Sequence, residues 1–388
     1  MSEAAARSDG VRRANLSRVL RLVHIDGPQS RAALTEATGL NRSTVAALVG
    51  ELVEEGLVEE RAPDSLGRVG RPSPVVAPDG RVVAIAVNPE VDATTIAAVG
   101  LDRRVIARDR IETDGPPSPE ETAQLVSAQI AAWREGPLRA ARIEGIGLAV
   151  PGLVRTADGL VRLAPHLGWV DAPLRDLVAA ATGLRTVVGN DASLGALAEH
   201  LFGAARGVDD VIYLNGGASG IGGGLIVHGT PVGGAGGYAG EFGHNRPGIA
   251  TGTDRRASDG VLEDEVSRSR LLAAVGLDSA DEPTLAAALT AAASPPVIDE
   301  VARQRRILVT ALANAVNVLN PSVVVLGGFL ATIAADAIPA LLDDVRAQTM
   351  PSVADALELR LAVLAEDRLL IGAAELAFAD LLRAPSPT

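Results

Sequence analysis

Apolar residues recur at helical spacing in three successive segments near the start of the chain. The first segment ends at Asp26-Gly27-Pro28, a turn that a helix cannot cross. Ser30 has the position of an N-cap for the second helix, and Gly39 follows that helix as a tight turn. The second helix is expected at residues 31–38 and the third at residues 43–55.

An alternating apolar and polar pattern follows the third helix and predicts a β-hairpin. Its strands are expected at residues 57–61 and 74–77, with a glycine-rich tip between them. Three helices followed by a hairpin are typical of a winged helix-turn-helix, which we expect to occupy residues 1–78.

Strand and helix patterns alternate through the rest of the chain, which predicts an α/β architecture with mixed sheets. The second half of this region repeats the plan of strands and helices of the first half, which suggests a duplicated fold with a cleft. A long Ala-, Val- and Leu-rich helix, residues 301–319, fits packing within this body or an oligomer interface, and we favour packing within the body. Strands are expected at residues 81–87, 94–101, 143–150, 186–188, 211–214, 224–227 and 323–326, and the other helices at 120–133, 174–182 and 192–202.

Composition excludes several kinds of site. The 388 residues include no Lys and no Cys, which rules out a phosphate-loop lysine, a Schiff base, disulfides and thiolate metal sites. The aromatic content of 2% disfavours stacking platforms for single-stranded nucleic acid. We find no signal peptide and no transmembrane segment in the sequence, so we expect a cytoplasmic protein with no membrane partner.

The net charge of −13 is unevenly distributed. Ten Arg balance ten Asp and Glu in residues 1–75, so the surplus of negative charge lies in residues 76–388. A neutral N-terminal module with clustered Arg is compatible with duplex binding, even though phosphate attraction supplies much of the affinity for DNA.

Short polar residues stand at the start of the third predicted helix, where side chains reach base edges and phosphates in the major groove. We expect DNA contacts from Asn41, Arg42, Ser43 and Thr44, and from Arg68 and Arg71 in the wing, where Arg enters a narrow minor groove. The alternatives are a three-helix dimerisation module and a solvated loop with two incidental arginines.

Polar residues that suit a sugar occur at two places in the second half. Asn190-Asp191 lies between a strand and a helix, where a carboxylate can accept a hydrogen bond from a ligand hydroxyl, although Asp191 alone also fits an N-cap. Glu241 and His244 follow a glycine-rich stretch and match the chemistry of vicinal hydroxyls, unless they form a surface turn. The glycine-rich run 216–224 fits either a ligand loop or a plain hairpin.

Several motifs in fixed order resemble the ROK family of repressors, open reading frames and sugar kinases. The resemblance covers nearly the whole chain, since the regulator branch of that family also begins with a winged helix. It implies an actin/hexokinase-like (RNase H-like duplicated) two-lobed domain over residues 79–388, with lobes at about 79–190 plus the C-terminal helix and 191–368. The motifs are Asn190-Asp191 with residues 195–199, the Gly-Ile-Gly-Gly-Gly loop, Gly240-Glu241-Phe242-Gly243-His244 and Leu262-Glu263.

Carried over position by position, the resemblance implies that Asn190, Asp191, Glu241, His244 and Glu263 bind sugar hydroxyls. Asp191 matches the position of the kinase base, although we expect no catalytic residue in this chain. His166 stands where the sugar loop of the family has an amide.

Two departures from the family pattern favour a regulator over an enzyme. The kinase phosphate loop aligns with Glu90-Val91-Asp92-Ala93-Thr94, which has lost both glycines and gained a carboxylate that repels phosphate. The three zinc cysteines align with Asp254, Arg256 and Val261. Because one imidazole cannot hold a structural zinc, we expect no metal and no cofactor. Hydrogen bonds from Asp254 or Asp259 are hypothesised to hold the loop instead.

The sequence therefore suggests a sugar-responsive transcriptional regulator, most simply a repressor of carbohydrate uptake or metabolism genes. Operator DNA and a sugar or sugar derivative are the expected partners, and a homodimer or homotetramer is the expected assembly. The alternatives are a ROK sugar kinase that phosphorylates a hexose with ATP, and a sugar-binding protein whose N-terminal module contacts only proteins.

Overall fold

The computed structural model describes residues 3–62, 74–249, 251–258, 260–292 and 294–385. The chain divides into two compact units. The first unit comprises Met1–Ala149, Ala172–Val188 and Ala373–Thr388, and the second comprises Val150–Asp171 and Gly189–Gly372. The prediction of separate domains at residues 1–78 and 79–388 stays a prediction.

The helices and strands follow one another through both units. The α-helices are α1 (Glu3–Asp26), α2 (Arg31–Thr38), α3 (Arg42–Glu54), α4 (Pro119–Arg134), α5 (Leu174–Thr182), α6 (Asp191–Phe202), α7 (Leu262–Glu265), α8 (Arg268–Val275), α9 (Glu282–Ala291), α10 (Pro295–Leu319), α11 (Phe329–Ala334), α12 (Ile338–Gln348) and α13 (Arg368–Arg383). The strands are β1 (Gln29–Ser30), β2 (Val58–Arg61), β3 (Val75–Pro78), β4 (Val82–Pro89), β5 (Ala93–Gly100), β6 (Val105–Glu112), β7 (Arg142–Val150), β8 (Leu153–Val154), β9 (Val161–Ala164), β10 (Trp169–Ala172), β11 (Thr186–Asn190), β12 (Val211–Gly217), β13 (Gly220–Val227), β14 (Thr230–Pro231), β15 (Val323–Gly328) and β16 (Glu358–Leu361).

The first unit begins with the predicted winged helix-turn-helix. Ser30 caps α2 by accepting a hydrogen bond from the N–H of Ala33, and Gly39 ends that helix at φ 69°, in the left-handed region that glycine tolerates. The third helix begins at Arg42, one residue earlier than predicted, because Asn41 is its N-cap. Strands β1, β3 and β2 form the small sheet of the wing. The predicted wing contacts Arg68 and Arg71 lie outside the described residues.

A five-stranded sheet, ordered β11-β7-β4-β5-β6, forms the centre of the first unit. Strand β4 pairs antiparallel with β5 and parallel with β7, so the sheet is mixed as predicted. All eight residues of β5 are buried. Strand β6 is largely exposed on both faces, and its charged sequence did not predict a strand.

The last helix holds the winged helix against the rest of the first unit. The His24 side chain is fully buried between the C=O of Leu101, 2.7 Å from Nδ1, and the Glu375 carboxylate, 2.9 Å from Nε2. Phe378 meets the His24 ring edge-on, and Ser17 donates to the C=O of Leu382. Helix α1 is therefore anchored to the part of α13 that belongs to this unit.

The second unit is built on a sheet ordered β14-β13-β12-β15-β16. Its main apolar core joins this sheet to α10, α11 and α12, as expected for a helix at residues 301–319 that packs within the body. The glycine-rich run 216–224 lies in the β12–β13 hairpin, and several of its residues also line the cavity described below, so the expectation of a ligand loop stays a prediction. Added Cβ atoms at Gly222 and Gly224 would lie 2.6 Å from the Cβ of Ala192 and 2.4 Å from that of Ala196, so these glycines let α6 approach the sheet.

Within the described part of the chain, no helix is both long enough and apolar enough to cross a bilayer.

Candidate functional site

A cavity of about 300 Å³ lies in the second unit, a volume within the range of small-molecule sites. All the residues predicted to bind a sugar line it together: Asn190, Asp191, Glu241, His244 and Glu263. His166 also lines the cavity. No arginine occurs among its described lining residues, so the charged groups that face a ligand are mainly carboxylates.

Asn190 and Asp191 are placed by the start of α6. Asn190 accepts the N–H of Ser193 at 2.9 Å as N-cap and donates to the C=O of Gly152 at 3.0 Å. Asp191 accepts the N–H of Ala192 at 2.8 Å. Burial raises the pKa of Asp191 to about 6, despite that hydrogen bond and the charge of Arg368. The N-cap is thus Asn190, and Asp191, the first residue of α6, lines the cavity.

Two carboxylates, Glu241 and Glu263, line the cavity together with His244. Glu263 accepts the N–H of Ile221 at 3.0 Å, and its other oxygen lies 3.7 Å from Nε2 of His244. Burial raises the pKa of Glu241, and the charge of Glu263 adds to this while His244 opposes it. Gly220, at φ 134°, permits the close approach, since an added Cβ would lie 2.3 Å from the Glu263 carboxylate.

Sequence reasoning missed Asn215, which lines the cavity from the end of β12. It is 7% exposed and accepts a hydrogen bond from the Tyr213 hydroxyl at 3.3 Å. A polar residue that interrupts an apolar strand just before a glycine run was the available signal.

The turn that aligns with the kinase phosphate loop is occupied by an ion-pair cluster in the first unit. Arg110 lies 3.2 Å from the Glu90 carboxylate and 2.9 Å from that of Asp92. Asn88 and Thr95 also donate to Glu90. An incoming phosphate would meet two carboxylates that already share their arginine.

The three positions that align with zinc cysteines do not fit a metal. The Asp254 carboxylate is bound by Arg306 at 2.7 and 3.0 Å, which lowers the pKa of Asp254. Arg256 and Val261 carry no metal-ligating side chain. The described residues contain no cluster of His, Cys, Asp and Glu suited to an ion. Asp254 thus takes part in hydrogen bonds as hypothesised, as the acceptor from Arg306, whereas Asp259 lies outside the described residues.

The candidate DNA-contacting residues stand at the start of α3. Asn41 uses its side-chain oxygen to accept from the N–H of Thr44 at 2.8 Å and from the Ser43 hydroxyl at 2.7 Å. Arg42 is exposed. The polar cluster is thus a pre-formed helix start, with Arg42 projecting from it.

The chain is similar in sequence to known repressors and to glucokinases. An IclR helix-turn-helix domain matches residues 15–62. The chain is 30% identical over 319 residues to a xylose repressor of Caldicellulosiruptor bescii, covering 77% of this chain and 78% of that protein. It is also 33% identical over 248 residues to a glucokinase of Halalkalibacterium halodurans, covering 59% and 74%.

A solved ROK family transcriptional regulator, a homologue of the E. coli MLC protein, superposes with a TM-score of 0.76 at 23% identity. The match covers 96% of this chain and 97% of that one. The ROK family signature itself spans residues 84–380. The chain therefore belongs to the ROK family.

Proposed function

We propose that this protein is a sugar-responsive DNA-binding repressor whose effector is a neutral, unphosphorylated sugar. The observation that carries the effector class is the charge of the cavity. Asp191, Glu241 and Glu263 supply acceptors for hydroxyl groups, and a phosphate would be repelled by the same carboxylates. The helix-turn-helix module supports DNA as the second partner.

A homodimer or homotetramer is proposed as the DNA-bound species, because helix-turn-helix proteins commonly read two half-sites related by two-fold symmetry. The sugar alters DNA affinity only as far as it binds one conformational state more tightly than the other.

A sugar kinase is the second candidate. It is favoured by Asp191, whose pKa of about 6 suits a base near neutral pH, and by the glucokinase relative. The carboxylates of Glu90 and Asp92 argue against it.

One panel experiment separates these functions. Thermal unfolding is measured with neutral pentoses and hexoses and with their phosphates, followed by gel-shift assays on the DNA upstream of the gene. A neutral sugar should raise the melting temperature and change the DNA shift, since a ligand of the native state stabilises it. Stabilisation by sugar phosphates alone would refute the effector class. ATP-dependent turnover of a hexose above background would favour the kinase.

A further inference from the structure

A buried ion pair lies beneath the loop that aligns with the zinc-binding segment. Arg303 of α10 is 2% exposed and Glu265, at the end of α7, is fully buried. Their side chains meet at 3.1 Å, between Nη1 and Oε2. Sequence spacing gave no indication of this pair.

The hydrogen bonds of this pair leave it little freedom. Arg303 uses all five of its N–H donors: two on the Glu300 carboxylate, two on the C=O groups of Asp254 and Glu265, and one on the Glu265 carboxylate. Glu265 in turn accepts the backbone N–H groups of Arg256 and Ala257 at 2.9–3.0 Å. Both partners therefore hold the loop by its backbone.

The loop and the cavity share one short helix. Glu263, which lines the cavity, lies two residues before Glu265 on α7, and its carboxylate is fixed against the N–H of Ile221. The N–H of Leu262 donates to the C=O of Asn245 at 2.8 Å, next to His244. A displacement of α7 would therefore move Glu263 directly and His244 through its neighbour.

We propose that the Arg303–Glu265 pair is a metal-free clasp that positions Glu263 and His244 for sugar hydroxyls. Asp254, Arg256 and Val261, which align with the zinc cysteines of the ROK family, do not form a metal site, and a satisfied ion pair fixes the loop beneath which it lies. This inference rests on the proposed function for the identity of the ligand, but the clasp itself is tested independently of it.

The decisive variant is Glu265→Gln, in which an amide NH₂ must face either Arg303 or the N–H groups of residues 256 and 257. The matched control is Glu300→Gln, which removes a carboxylate from the same arginine but leaves the bonds between Glu265 and the loop.

Sugar affinity is measured by calorimetry, with the neutral sugar that the panel identifies. We expect Glu265→Gln to weaken binding about tenfold or more, because α7 then no longer fixes Glu263 and His244 and their hydrogen bonds to the sugar are weakened or lost. Glu300→Gln should stay within about twofold, whatever its melting temperature.

Hydrogen–deuterium exchange of the amides of Arg256 and Ala257 provides the second measurement, on the sugar-free wild type. The clasp predicts strong protection that persists in a chelator, because no metal contributes to it. Rapid exchange of these amides, or loss of protection on chelation, would overturn the proposal even if Glu265→Gln does not fold. Equal sugar affinities of Glu265→Gln and wild type would also overturn it. If wild type binds no sugar, the proposed function fails, and the exchange measurement still judges the clasp.

Discussion

Asp191, which is proposed to bind sugar hydroxyls, lowers the stability of the sugar-free protein at neutral pH. Its pKa rises from 3.8 to about 6 because burial penalises the charged form. The folded protein therefore binds a proton that the unfolded chain releases between these values. At neutral pH the ionised carboxylate costs folding free energy, and the free energy of unfolding recovers as the pH falls through 6 toward 3.8. Such a cost is expected of a group kept for a ligand.

Replacing Asp191 with Asn should therefore stabilise the sugar-free protein at pH 7.5. The upper limit is roughly 3 kcal/mol, at about 1.4 kcal/mol per pKa unit, and exposure of Asp191 to cavity water reduces it. The difference from wild type should shrink as the pH falls from 6 toward 3.8 and should vanish only near about pH 3, where Asp191 is protonated in both the folded and the unfolded wild type. Denaturant unfolding across about pH 3–8 checks this, and a variant less stable than wild type at pH 7.5 would contradict it.

The same substitution should weaken sugar binding at least about tenfold, since an NH₂ group replaces an acceptor in the cavity. Stability and affinity thus change in opposite directions, which a general packing defect cannot produce.

Among the elements, the contact of α1 with α13 connects the two ends of the chain inside the first unit. Both His24 nitrogens face acceptors, the C=O of Leu101 and the Glu375 carboxylate, so the protonated ring satisfies both. Burial lowers the pKa of His24, but Glu375 and Leu101 outweigh burial and the charge of Arg103, and the net pKa is raised. The contribution of protonated His24 to the free energy of unfolding is therefore complete below pH 6.5. It is lost as the pH rises through the folded-state pKa of His24.

We expect His24→Gln to destabilise the first unit by about 2 kcal/mol at pH 6, because Gln carries no charge to pair with Glu375 and has both its N–H donors on one nitrogen, whereas His24 donates from two. The difference in unfolding free energy between this variant and wild type should shrink as the pH rises, because wild-type His24 then loses its proton. Denaturant unfolding at pH 6 and pH 8.5 tests this, with Ser17→Ala as a control on the same interface, since Ser17 does not titrate. A deficit that grows with pH would disprove the charged contact.

Elements with strong local signals could be predicted, and those that depend on distant partners could not. Helix α5 matches its predicted bounds, and Ser30 caps α2 as expected, because capping and periodicity are local. Strand β6 was missed because its residues are largely exposed and carry several charges, and β16 was also missed although its four residues alternate polar and apolar. The Arg303–Glu265 pair could not be predicted, because its partners lie 38 positions apart and because Glu265 belongs to a run of acidic residues that is typical of a solvent-exposed segment.

For the cavity, the resemblance to the ROK family predicted which residues converge, and the structure supplies how they are held. Asn190, Asp191 and Glu263 are placed by backbone N–H groups of α6 and β13. Those partners follow from the path of the chain, which residue spacing does not encode.

At the scale of the whole molecule, the charge distribution limits how DNA can be bound. The surplus of negative charge lies beyond residue 75, so phosphate attraction must come from the N-terminal module. Several of its arginines are paired there: Arg12 with Glu51, Arg31 with Glu60 and Arg61 with Glu59. Arg42, exposed at the start of α3, is therefore the candidate for a direct phosphate contact.

Arg42→Ala should accordingly weaken binding to operator and unrelated duplex alike. The slope of log affinity against log salt concentration should fall by about one, since one phosphate contact releases about one counterion. Titrations between low and physiological salt measure the slope. Arg12→Ala is the matched control, because its charge is already neutralised by Glu51, and its slope should equal that of wild type. A loss of affinity for the operator alone, at an unchanged slope, would instead assign Arg42 to base readout, where a bidentate contact discriminates one base from the others.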